Sequence, residues 1–167
     1  MSFIIRQIAR GDAEALVLFY NALSEASKRT FHPLDTTATV KQGRDIIEDN
    51  APEMAKKYDL VALDGERIVG WSFLWSIESG IPTLGLGVAD ACHSRGVGRA
   101  LMDRILFDAR QRGIKQITLT VVEDNERALR MYGRRGFVRH EAFTGEDGLP
   151  YYRMSVHLAR VVDRPEG

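Results

Sequence analysis

Cysteine is almost missing from this sequence: Cys92 is the one thiol in 167 residues, which excludes an intramolecular disulfide. No stretch approaches the ~20 consecutive apolar residues that a bilayer-spanning helix needs. The opening segment MSFIIRQIARGD is too short in apolar residues for a signal peptide, so a cytoplasmic location is expected. Neither sign of charge is in excess. With 23 basic and 23 acidic side chains, nothing in the overall balance favours nucleic acid or an anionic membrane as a partner. Repeats of solenoid period and low-complexity tracts are absent too. No Gly-Lys-Ser or Gly-Lys-Thr occurs, which removes the P-loop. The length suits one domain, expected over residues 1–159 with a frayed tail at 160–167.

What is present is organised around residues 83–113. Thr83, Leu84, Leu86 and Val88 form a short apolar run interrupted by Gly85 and Gly87, and glycines inside a strand suggest a bulge or a close approach of another backbone. After a turn, Val97, Leu101, Ile105 and Ala109 recur every four residues, the spacing of one buried helix face. Gly113 ends that helix behind Arg110 and Arg112, cations favourably placed near its negative end. The turn Arg95-Gly96-Val97-Gly98-Arg99-Ala100 places unpaired N–H groups at a helix N-terminus, with two positions lacking Cβ. An anion, most commonly a phosphate, fits there, and Arg95 and Arg99 add donors. A plain strand-to-helix turn in which glycine only relieves strain is the other reading. A dinucleotide fingerprint is not, because Asp90 stands where its third glycine belongs.

Elsewhere the patterns alternate between strand and helix. Residues 3–8 form a first strand, and Asp12 is placed to cap a helix over 13–24 whose face is Leu16, Phe19, Tyr20 and Leu23. Residues 25–37 read as a loop, and a second helix covers 39–50, stopping before Pro52. Two alternating runs, 58–62 and 67–75, are joined through Asp64-Gly65 as a tight hairpin. A strand at 117–121, a helix at 125–135 and two further strands at 137–143 and 151–158 complete the order. Asn125, Ala128 and Tyr132, spaced three and four apart, share one helix face that can line a groove or simply pack.

Two motifs together carry a resemblance. His93-Ser94-Arg95-Gly96-Val97-Gly98 is similar to the Arg/Gln-x-x-Gly-x-Gly/Ala loop of the GNAT acetyltransferase family, with His93 in place of the usual Arg or Gln. Asn125 to Phe137 matches that family's Asn-x-x-Ala-x-x-x-Tyr-x-x-x-Gly-Phe at every fixed position. The resemblance implies an α/β fold: a mixed, centrally splayed sheet of about seven strands, mostly antiparallel with a parallel central pair, flanked by about four helices. It implies an acetyl-CoA-dependent N-acetyltransferase, with acetyl-CoA as co-substrate and no metal. Leu86, Gly87 and Val88 would pair with the pantetheine arm, and the amides of Arg95, Gly96, Val97, Gly98, Arg99 and Ala100 would hold the pyrophosphate. Asn125 and Ala128 would border the pantetheine, and Tyr132 would protonate the departing sulfur. The expected partner is a small-molecule or peptide amine, with a homodimer allowed and no nucleic acid or membrane.

The general base is the weak point of this correspondence. Residues 81–86 contain no acid where many members of the family carry a glutamate. Glu78, His32, Asp35 and Glu123 are the candidates, and proton removal through water needs none of them. Cys92 and His93 are adjacent and lack ligand spacing, so no metal is expected there. A module that binds or senses acyl-CoA without catalysis is the alternative function.

Overall fold

A computed structural model describes residues 1–159; the expected tail, 160–167, lies outside the described residues. Twelve elements follow one another: β1 (Ile4–Gln7), α1 (Ala13–Asn21), α2 (Glu25–Thr30), α3 (Val40–Asp49), β2 (Lys57–Asp64), β3 (Arg67–Trp75), β4 (Thr83–Val88), α4 (Val97–Gln111), β5 (Gln116–Val122), α5 (Glu126–Gly133), β6 (Val138–Thr144) and β7 (Pro150–His157). The seven strands form one sheet in the order β1-β2-β3-β4-β5-β7-β6. Every neighbouring pair is antiparallel except β4 and β5, which are parallel and register at a single pair, Thr83 with Thr118. Beyond that pair the two strands part, and the edge of β4 toward Val88 is left open. This splay positions the site.

The β2–β3 hairpin closes at Asp64 opposite Arg67, with Gly65 at φ +61°, as a two-residue turn between right-twisted strands requires. Both faces of these strands are buried because helices cover the sheet on both sides. On one side α1 and α3 pack over Val61, Trp71 and Phe73. On the other, the stripe Val97, Leu101, Ile105 and Ala109 is fully buried, joined by Met102 and Leu106. A Cβ at Gly70 would fall 2.7 Å from Leu101 Cδ1 and 2.8 Å from Val97 Cγ1, so the missing side chain is what lets α4 sit on the sheet.

Three expectations change. Residues 25–37 contain a helix, α2, capped by the Ser24 hydroxyl, which accepts the Ser27 N–H. None of its six residues is buried, so it carried no apolar period to read. Asp12 stands at the start of α1 without capping it. Its carboxylate instead accepts the Ala9 N–H at 2.7 Å and a paired guanidinium contact from Arg6 at 2.7 and 2.9 Å. The glycines of β4 mark neither a bulge nor a neighbouring backbone. Aromatic rings lie over them, Phe73 within 2.2 Å of a Cβ at Gly85 and Phe31 within 2.4 Å of one at Gly87.

Candidate active site

The splay opens into a cleft of about 680 Å³. One end is the turn before α4. Ser94 and Gly96 both take left-handed backbone, at φ +64° and +85°, and so swing the chain from β4 into the helix. Among the described residues no side chain caps α4. Its first amide taken by a backbone carbonyl is that of Ala100, which donates to Gly96 at 3.0 Å. The amides of Val97, Gly98 and Arg99 therefore have no intrahelical acceptor. Ala100 is thereby removed from the expected set of anion-binding amides. His93 occupies the motif's first position and uses Nε2 to donate to the Val88 carbonyl at 3.0 Å, tying the turn to the end of β4.

The walls come from the elements that the sheet splays apart. Leu86, Gly87 and Val88 line the cleft along β4, Thr120 and Val121 along β5, and Asn125, Ala128 and Tyr132 from α5. Gly96, Val97, Gly98 and Arg99 line it as well, whereas Arg95 and Ala100 do not. Asn125 caps α5, its Oδ1 accepting the Ala128 N–H at 3.3 Å, which leaves its amide nitrogen free to donate to a ligand. The Tyr132 ring is buried against Phe137, with centroids 5.7 Å apart. Burial pushes its hydroxyl up to about 12, so it stays protonated across the ordinary pH range.

The charge lining the cleft was not legible beforehand. Arg99, Arg127, Arg130, Arg134 and Arg135 border it, and among the described residues no Asp or Glu does. Of these five, only Arg135 has an acidic partner among the described residues, Asp103 at 2.8 Å. In a chain of zero net charge this is a strongly cationic groove. Arg127 and Arg130 stand on α5, Arg134 and Arg135 directly follow it, and the placing of α5 at the splay brings all four to the cleft.

None of the four candidate bases lines the cleft. His32 Nδ1 lies 3.0 Å from the Lys28 carbonyl, and its Nε2 is 4.0 Å from Asp147. The sequence also missed how α2 reaches the site. Asp90, just after β4, accepts the Ser24 N–H at 2.9 Å and the Ser27 hydroxyl. Arg29 meets Asp124 beyond β5 through two contacts of 3.1 and 3.0 Å. The helix thus spans from one lip of the splay to the other, and Ser27, Thr30 and Phe31 line the cleft beneath it.

The model of the acetyltransferase (GNAT) family matches residues 20–137, and the chain belongs to that family. It is 32% identical over 143 residues to a mycothiol acetyltransferase from Geodermatophilus obscurus, an alignment covering 81% of this chain and 44% of that protein. The chain therefore spans less than half the length of this curated relative. A GNAT-family acetyltransferase from Streptococcus pneumoniae superposes with a TM-score of 0.80 at 23% identity, covering 95% of this chain and all of that one. A spermidine N-acetyltransferase from Vibrio cholerae, solved with CoA and spermine, gives 0.75 at 18% identity, covering 93% of this chain and 95% of that one. The splayed sheet is thus the family's fold.

Proposed function

We propose that the chain is an acetyl-CoA-dependent N-acetyltransferase that moves an acetyl group to a primary amine of a small molecule or peptide within a ternary complex. One observation carries the reading: a cleft bordered, among the described residues, by five arginines and no acid begins at an uncapped helix N-terminus and continues along an open strand edge. That combination suits a long ligand with phosphates at one end and amide groups along its length. The mycothiol acetyltransferase relative and the spermidine enzyme held with CoA and spermine support the same class.

In this reading the Val97, Gly98 and Arg99 amides hold the pyrophosphate, with Arg99 and the α5 arginines as screened side-chain partners. The backbone edge of Leu86, Gly87 and Val88 orients the pantetheine arm, and Asn125 and Ala128 border it. Acetyl-CoA supplies an acetyl group activated as a thioester with a thiol leaving group. Tyr132 holds its proton firmly, at about 12 against a thiol reference near ~8.5, so complete transfer to sulfur is uphill by several kcal/mol. Its role is therefore hydrogen-bond donation to the sulfur as negative charge develops there. Among the described residues no carboxylate lines the cleft, and in this reading the amine loses its proton to water.

That same lack of a carboxylate favours a second reading, a domain that binds or senses acyl-CoA without turnover. Calorimetric titration with acetyl-CoA and desulfo-CoA separates acyl-CoA binding from another nucleotide function: the proposal expects both to bind, and binding of NAD or ATP in their place refutes it. A panel of amines assayed for free thiol then distinguishes enzyme from sensor.

A further inference from the structure

The cleft's inner wall at Gly87 is made by one aromatic ring. A Cβ at Gly87 would stand 2.4 Å from Phe31 Cδ1 and 2.5 Å from Cε1, so the ring lies directly on the strand backbone. Phe31 follows α2 and is 7% exposed, yet it borders the cleft beside Gly87 and Thr30. Its position is fixed from behind. The ring meets Trp71 edge-on at 5.5 Å and 88°, Tyr20 at 6.3 Å and 68°, and Phe73 at 6.2 Å. Trp71 and Tyr20 are themselves fully buried, so the wall has nothing to retreat into.

A ligand anchored by its phosphates at the N-terminus of α4 and laid along β4 from Val88 toward Thr83 brings its far end up to this wall. Resting on the acyl-CoA reading above, we propose that Phe31 is a specificity-determining residue that limits the acyl chain. Acetyl fits in front of the ring, and longer straight-chain acyl groups meet it. The discrimination belongs to this chain's own packing: Gly87 gives the ring its seat, and the aromatic cluster holds it there.

Calorimetric binding of free CoA, acetyl-CoA, butyryl-CoA and hexanoyl-CoA to the wild type, Phe31→Leu and Phe31→Ala tests this without any acceptor. For the wild type, affinity is expected to fall at least about tenfold from acetyl-CoA to hexanoyl-CoA, the scale on which a tight apolar pocket rejects added methylenes. Phe31→Leu, which keeps the site apolar, is expected to bring the two within about threefold, with free CoA, which has no acyl group, unchanged. Thermal melting of each variant identifies any that fails to fold, and Phe31→Leu is the milder of the two. Equal wild-type affinity for acetyl-CoA and hexanoyl-CoA overturns the proposal, as does a ratio unaltered by Phe31→Leu in a folded protein. If free CoA and all its thioesters fail to bind the folded wild type, the acyl-CoA reading itself falls, and the proposal with it.

Discussion

Replacing Gly98 by valine separates what the phosphate turn does for a ligand from what it does for the fold. Gly98 lies in the first turn of α4 with ordinary helical backbone, and a Cβ there would meet Val88 Cγ2 at 3.5 Å and Leu86 Cδ2 at 3.6 Å, normal contact distances. Leaving glycine gains up to about 1 kcal/mol of helix propensity, and a β-branched side chain returns about half of it. The net change in stability is therefore within about 1 kcal/mol, or ~2–4 °C in melting temperature for a protein of this size. The ligand experiences the substitution differently. Side chains on a helix lean toward its N-terminus, so the valine methyls project over the free amides of Val97 and Gly98. Losing one charge-assisted amide contact costs about 1.5–3 kcal/mol, a rise in Kd between about 10-fold and 150-fold. Gly96→Ala should do the reverse. Its Cβ meets nothing within 4 Å, but φ is +85°, so the penalty falls on the backbone and lowers the melting temperature. Calorimetry with CoA and thermal melting, run side by side, measure both effects. A Gly98→Val protein that melts normally and binds CoA as the wild type does refutes the phosphate assignment.

Other consequences follow from the same geometry. The exposed arginines at 99, 127 and 130 act through solvent, so each Arg→Ala variant should weaken CoA binding by about 1 kcal/mol or less at low salt, and the differences should vanish near ~0.5 M salt. Salt-independent Kd values would contradict this. Tyr132→Phe should fold normally and slow acetyl transfer by about tenfold, the scale of one hydrogen bond lost in the transition state. With its hydroxyl near 12, Tyr132 adds no falling limb to the rate profile below about pH 10, and full activity of the variant rules out its role. Asp59 gives a pH prediction outside the cleft. Burial outweighs the N–H donors of Asn50, Trp71 and Trp75 and raises its carboxyl from 3.8 to about 6. The folded state thus holds this proton more firmly than the unfolded chain, so the group's contribution to stability declines as pH rises from about 4 to 6. Trp71 and Trp75 are the chain's only tryptophans, so their emission should titrate with a midpoint near 6 and become pH-independent in Asp59→Asn. Emission that is flat across that window in the wild type counts against it.

How much could be read beforehand depended on whether the signal was local. The stripe from Val97 to Ala109, the Asp64-Gly65 turn and the face bearing Asn125, Ala128 and Tyr132 are encoded by spacing, and the structure places them in one helix core, one hairpin and one cleft wall. α2 was illegible because its six residues bury nothing; the contacts that hold it, with Asp90 and Asp124, come from residues remote in sequence. Gly85 and Gly87 announced a close approach but not its partner, since Phe73 and Phe31 reach them only through the fold. The arginines of α5 gave no sign of a site because cations on an exposed helix face are the ordinary case. Asp12 looked like a cap because its residue type and position suit one, and Arg6 outcompetes that use.

The most direct test of the central claim is amine-dependent release of free CoA from acetyl-CoA, measured with the wild type over a broad panel of primary amines alongside recovery of the N-acetyl product. The account predicts that at least one amine raises thiol release well above the amine-free rate, with equimolar acetylated product. Tight CoA binding with no amine-dependent thiol release from any acceptor would contradict it and leave the acyl-CoA-sensing domain as the function.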